Sequence, residues 1–292
     1  MNRRKFFLST AAAGAGALAP QVISASANNP GFHLGSVTYN LLKDFDVDTI
    51  IRVLEHAGFE GVELRTGHKH GVEPSIGPEE RARVRRRFEQ SKIRLVSYGT
   101  ICRFQSPEAA ERERQLQVAK QFVDLAHDTG AMGIKIQPMG FPDSVSREVT
   151  IQNFGASLKK LGEYGASRQV EIWMEVHGPG TSDTKVVAAI IKAAGHPNVG
   201  VCWNSNDTDL VNGSAKASFA LLKPWIKSVH IGELADTSYP WRELFALLRE
   251  AKYNRYTFAE VEASAEPERF LPWYRALWTE LNRPVPTSDA RS

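Results

Sequence analysis

Three residues whose types suit metal or proton-transfer chemistry stand near the ends of separate apolar runs: Glu175, His230 and Glu260. Glu175 lies in V-E-I-W-M-E-V-H-G, residues 170–178, where Ile172, Met174 and Val176 alternate with Trp173, Glu175 and His177 as the two faces of a strand do. A carboxylate and an imidazole therefore leave one strand end on the same side. A strand with one wet face shows the same alternation, so this pair alone defines no site. Oxygen and imidazole donors converging from several strands are what a divalent cation needs. The run N-V-G-V-C-W-N-S-N-D adds the amide oxygen of Asn204.

Short apolar runs alternate with longer helical patterns through most of the chain, and no Pro/Gly/Ser-rich linker marks a domain boundary. That alternation predicts a single parallel α/β domain. Strands are expected at 33–38, 61–65, 93–98, 133–137, 170–177, 199–204, 226–231 and 256–262. Helices are expected at 47–56, 78–90, 107–128, 147–168, 184–194, 214–222, 241–251 and 267–281. Eight such units predict a closed (β/α)8 TIM barrel. No G-x-G-x-x-G follows the first strand, which argues against a dinucleotide-binding open sheet.

Six of the eight strands place polar residues on one parity: Glu63/Arg65, Lys135/Gln137, Glu175/His177, Cys202/Asn204, Ser228/His230 and Glu260/Glu262. In a barrel wrapped by helices the apolar parity faces the helices, so the polar parity faces the axis. Charged groups there must pair, bind metal or line a wet pocket. They fall at the C-terminal strand ends, where such barrels carry their chemistry.

Weaker candidates surround these. Lys135 either holds a substrate oxygen or pairs with Glu63 or Glu175. Glu63 and His70, with Arg65 and His68 between them, mark a substrate-contacting segment at and after the second strand. Trp203 has the outward parity and is expected to pack. Gly178-Pro179-Gly180 reads as a tight turn without phosphate-loop spacing.

Residues 1–27 combine N-R-R-K-F-F-L, a mildly apolar Ala/Gly stretch and Ala25-Ser26-Ala27, the pattern of a twin-arginine export signal, leaving residues 28–292 as the mature barrel. The apolar stretch is too short and glycine-rich for a stable membrane anchor, and the expected partner is the twin-arginine export machinery. Without Arg3, Arg4 and Lys5 the 36 basic residues become 33, against 33 acidic ones. No net charge and no basic stretch with interleaved aromatics remain to indicate a nucleic-acid partner. The run R-A-R-V-R-R-R-F, residues 81–88, reads as the wet face of an amphipathic helix. Cys102 and Cys202 read as free thiols.

The succession E-V-H-G, N-V-G-V-C-W-N-S-N-D, V-H-I-G-E and Y-N-R-Y-T-F-A-E resembles the xylose-isomerase-like TIM-barrel superfamily of sugar isomerases and epimerases. The resemblance implies one divalent cation, most often manganese, with magnesium, cobalt or zinc as alternatives. It implies Glu175, Asn204, His230 and Glu260 as its ligands, Glu175 and Glu260 as the acid–base pair, and His177 and Glu233 as contacts to sugar hydroxyls. The endonuclease branch of that superfamily needs more His and Asp ligands and a basic groove, which this chain does not show. The family usually places Asp on strand six and His three residues later, whereas this chain has Asn204 and Asp207. Three readings follow: an amide ligand, compensation by Asp207, or a barrel that has lost its metal.

The expected activity is a metal-dependent isomerase or epimerase acting on an unphosphorylated or oxidised keto-sugar by proton abstraction next to a carbonyl. The same residues would serve β-elimination by a keto-glycoside lyase or hydratase. The rival from another class is a non-catalytic sugar-binding barrel. Export through the twin-arginine route implies a periplasmic location, and a homo-oligomer stays open.

Overall fold

The computed structural model describes residues 31–284, so the expected export signal lies outside the described residues. Eight strands, β1 (His33–Asn40), β2 (Gly61–Arg65), β3 (Arg94–Gly99), β4 (Gly133–Ile136), β5 (Glu171–Glu175), β6 (Val199–Asn204), β7 (Ile226–Ile231) and β8 (Tyr256–Val261), form one closed sheet in chain order. All neighbouring strands are parallel, and β8 closes on β1. The helices α1 (Val47–Ala57), α2 (Pro78–Glu89), α3 (Ala109–Thr129), α4 (Arg147–Ser167), α5 (Thr184–Ala194), α6 (Lys216–Leu222), α7 (Trp241–Glu250) and α8 (Pro267–Leu281) follow the strands in turn. The expected (β/α)8 barrel is the observed fold.

Local chemistry sets the joints between elements. Asp46, Ser146 and Asp183 cap α1, α4 and α5 by accepting backbone N–H bonds. Strand β5 ends before His177: the Val176 N–H still bonds Cys202, and the chain then turns through Gly178 at φ 87°. Strand β1 continues to Asn40, past the expected end, because Asn40 still pairs with Val261.

The alternation of the strands divides the core in two. Val62, Leu64, Ile134, Ile136, Met174, Val229 and Ile231 face the helices. Trp203 belongs to this outer layer, packing edge-on against Phe219 at 5.9 Å. Inside the barrel Val37, Val96, Trp173, Cys202 and Phe258 form a separate apolar plug. Below it the Glu171–Arg255 ion pair lies beside Trp173, with the guanidinium 5.4 Å from the ring centroid. The charged groups of the polar parity therefore sit above an apolar floor. Cys102 and Cys202 are buried and unbridged. Among the described residues no helix is long and apolar enough to cross a membrane.

The floor depends on small residues opposite large ones. A Cβ at Gly133 would fall 2.7 Å from the Trp173 ring. Gly133→Ala is expected to lower stability by about 1–3 kcal/mol through overpacking. Urea unfolding checks this; an unchanged midpoint would mean that Trp173 can move aside.

Candidate metal centre

Strand register brings the charged groups to the upper lumen. Glu175 pairs with Cys202, Asn204 with His230, and His230 with Phe258, so Glu260 stands two residues further up its strand. One ligand atom from each of Glu175, His230 and Glu260 falls within 4.8 Å of the others. His230 Nδ1 lies 3.1 Å from Glu260 Oε2 and 3.5 Å from Glu175 Oε1. Glu175 Oε2 is buried without a hydrogen-bond partner. A buried carboxylate with one oxygen unpartnered, beside an imidazole and a second carboxylate, fits a divalent cation, with the nitrogen and oxygen donors that zinc and manganese accept. The Asn204 side chain, partly exposed at the end of β6, makes no hydrogen bond among the described residues.

The charges beneath this triad are paired. Lys135 Nζ is 2.5 Å from Glu175 Oε1 and 3.8 Å from Glu63 Oε1. Burial by itself would lower the Lys135 pKa, but the carboxylates of Glu175, Glu63 and Glu260 outweigh it and raise it. Burial likewise works to raise Glu175, and Lys135 and His230 outweigh it, so this carboxyl is held below its usual range. For His230 burial opposes charging, while Cys202, Glu260 and Glu63 outweigh it and hold the imidazole well above its ordinary value. Each buried charge is thus sustained by its neighbours.

The two glutamates of the triad differ in exposure: the Glu260 side chain is 21% exposed and that of Glu175 is 1% exposed. Glu262, which shares Glu260's parity, is exposed beyond the end of β8 and reaches Asn40 instead.

The remaining expected residues fall in three places. Glu63, expected as a substrate contact, and Lys135, expected either to hold a substrate oxygen or to pair with Glu63 or Glu175, are buried beneath the triad, and Lys135 makes both of those pairings. His177 and Glu233 lie partly exposed on the loops after β5 and β7; His177 Nδ1 is 3.1 Å from Pro138 O, and Glu233 accepts the Glu262 N–H at 3.3 Å. His70, expected to touch substrate, has both ring nitrogens committed. Its Nδ1 accepts from the Val72 N–H and its Nε2 donates to Arg65 O, so it clamps its own loop.

Three functional supports carry no signal in the sequence. Asn206 Nδ2 donates to Val176 O and Asn204 O, tying together the ends of β5 and β6. Asp209 is fully buried in a 3-10 turn (Asp207–Asp209) and accepts from the Asn206 N–H and the Tyr239 hydroxyl. Tyr239 in turn accepts from Trp203 Nε1, so the loop after β7 is fastened to the loop after β6. Asp207 itself is exposed. Only the three-dimensional path of these loops reveals the contacts.

An eight-stranded α/β barrel with two carboxylates and an imidazole converging at its upper end defines the class of this protein. Residues 51–277 match the model of the xylose isomerase-like TIM barrel family, and the chain belongs to that family. No curated relative matches the sequence. Solved structures resemble it in fold. D-psicose 3-epimerase from Clostridium cellulolyticum H10, solved with D-tagatose, superposes with a TM-score of 0.74 at 11% identity, over 86% of this chain and 100% of that one. The 3-keto-D-glucoside 4-epimerase YcjR from E. coli gives 0.72 at 13% identity, over 85% and 99%. The IolI protein, solved with a bound zinc atom, gives 0.70 at 14% identity, over 85% and 96%.

Burial pushes the Asp209 carboxyl up to about 7, against the Asn206 and Tyr239 hydrogen bonds that lower it. The folded chain therefore holds a proton that the unfolded chain, near 3.8, releases. The stabilisation is complete below pH 3.8 and is lost as pH rises through about 7. Asp209→Asn, which mimics the protonated acid, is expected to flatten the fall in the urea midpoint between pH 5 and 8. A slope equal to that of the unaltered protein would contradict this.

Proposed function

We propose that the protein is a metal-dependent enzyme that moves a proton next to the carbonyl of an unphosphorylated or oxidised keto-sugar, as an epimerase or isomerase. The observation that carries this reading is the convergence of Glu175, His230 and Glu260 from three strands, with Glu175 Oε2 unpartnered. These three residues, with the Asn204 amide beside them, would hold one divalent cation, manganese or zinc. When bound, the cation polarises a substrate oxygen and so favours loss of the neighbouring C–H proton.

The residues divide the remaining work by their surroundings. Glu175, clamped by Lys135, stays ionised and serves as a ligand. Glu260 is the more exposed carboxylate and is placed to take the proton. Return of the proton by Glu260 to the neighbouring carbon gives an isomer, whereas an epimer needs a proton delivered to the opposite face of the same carbon by a second group, the role the resemblance implies for Glu175. His177 and Glu233, on the loops above, are the contacts assigned to sugar hydroxyls. The twin-arginine pattern at residues 1–27 supports a periplasmic location, which suits an unphosphorylated substrate.

The mature protein loaded with manganese is expected to exchange solvent deuterium into a keto-sugar, and Glu260→Gln to slow exchange by about 10²–10⁴-fold. Exchange without change of the carbon skeleton marks epimerisation or isomerisation, whereas release of an aglycone would mark elimination. No exchange with any keto-sugar would leave a sugar-binding barrel. Asn204→Asp is expected to tighten manganese binding measured by calorimetry; an unchanged affinity would remove Asn204 from the ligand set.

A further inference from the structure

We propose that Glu63 is the positioning residue of this centre: it holds His230 by Nε2, across the lumen, so that Nδ1 is presented to the cation. The proposal rests on the metal-binding reading above. An imidazole ligates through a nitrogen without a proton, and a partner on the other nitrogen decides which one that is. His230 Nδ1 faces the ligand carboxylates, 3.1 Å from Glu260 and 3.5 Å from Glu175. Its Nε2 points the other way, 3.4 Å from Glu63 Oε1. Neither Nε2 nor Oε1 has a hydrogen-bond partner among the described residues, and the two face each other at 3.4 Å. Strands β2 and β7 are not neighbours in the sheet, and the contact therefore fixes the ring from the opposite wall.

Glu63 is built to stay where it is. It is wholly buried, and Ser97 Oγ donates to its Oε2 at 2.8 Å. The register shift between Val62 and Glu63 against β3 brings Ser97 opposite Glu63. Gly99 leaves space for the carboxylate, since a Cβ there would lie 2.7 Å from Oε1. A carboxylate so enclosed cannot meet solvent, and its charge acts on what surrounds it. Lys135 already offsets the charge of Glu175, and Asn204 brings none, so Glu63 adds negative charge to the donor set through the imidazole.

The test uses the mature protein loaded with zinc, a diamagnetic ion, and labelled with ¹⁵N-histidine. The expected spectrum shows His230 with its proton on Nε2 and metal on Nδ1. Chelator competition should show Glu63→Gln binding zinc about 10–100-fold more weakly. Glu63→Gln keeps the shape of the side chain and leaves the Lys135–Glu175 pair intact, and the spectrum of the unaltered protein needs no variant at all. Ligation through Nε2, or equal zinc affinity in Glu63→Gln, would overturn the role of Glu63 while leaving the metal centre standing. Failure of the unaltered protein to retain zinc or manganese would overturn the metal reading, and this proposal with it.

Discussion

The ion pair between Lys135 and Glu175, 2.5 Å apart and nearly free of solvent, is the constraint on which the upper barrel depends. A carboxylate buried at this depth would otherwise take up a proton, and removal of one partner from such a pair typically costs about 3–5 kcal/mol. With Lys135 in place Glu175 remains an anion, one oxygen bound to the ammonium and the other unpartnered. The apolar floor of Trp173 and Phe258 beneath the pair keeps the local dielectric low and makes each neighbour's charge count. Glu63 and His230 complete the set, so the site is a closed group of charges with one face left for a ligand.

That arrangement separates two glutamates that the sequence presents as equals. Both end a strand, and both carry the inward parity. Glu175 is enclosed by Lys135 and His230, whereas Glu260 stands one layer higher beside the exposed loops. A carboxylate held by an ammonium is a poor proton acceptor. The more exposed one is the carboxylate to which the proposed function assigns proton transfer.

The polar parity of the strands was legible from the sequence because a barrel wrapped in helices tolerates only one assignment of inside and outside, and Trp203 obeys it by packing on Phe219. Parity does not say how high in the lumen a residue lies. Glu260 and Glu262 share a face, yet the end of β8 separates a triad member from an exposed side chain. Nor does it say which neighbour a charge meets: the sequence leaves Lys135 open between a substrate oxygen, Glu63 and Glu175, and strand register brings it to both carboxylates. The commitment of both His70 nitrogens to backbone, and the links from Asn206 and Asp209, arise from loop paths that no spacing rule encodes.

Anomalous diffraction from crystals of residues 28–292 soaked in manganese addresses the central claim most directly. The account predicts a single strong peak enclosed by the Glu175 carboxylate, His230 Nδ1 and the Glu260 carboxylate. A lumen without a peak, or manganese bound only elsewhere on the chain, would contradict it.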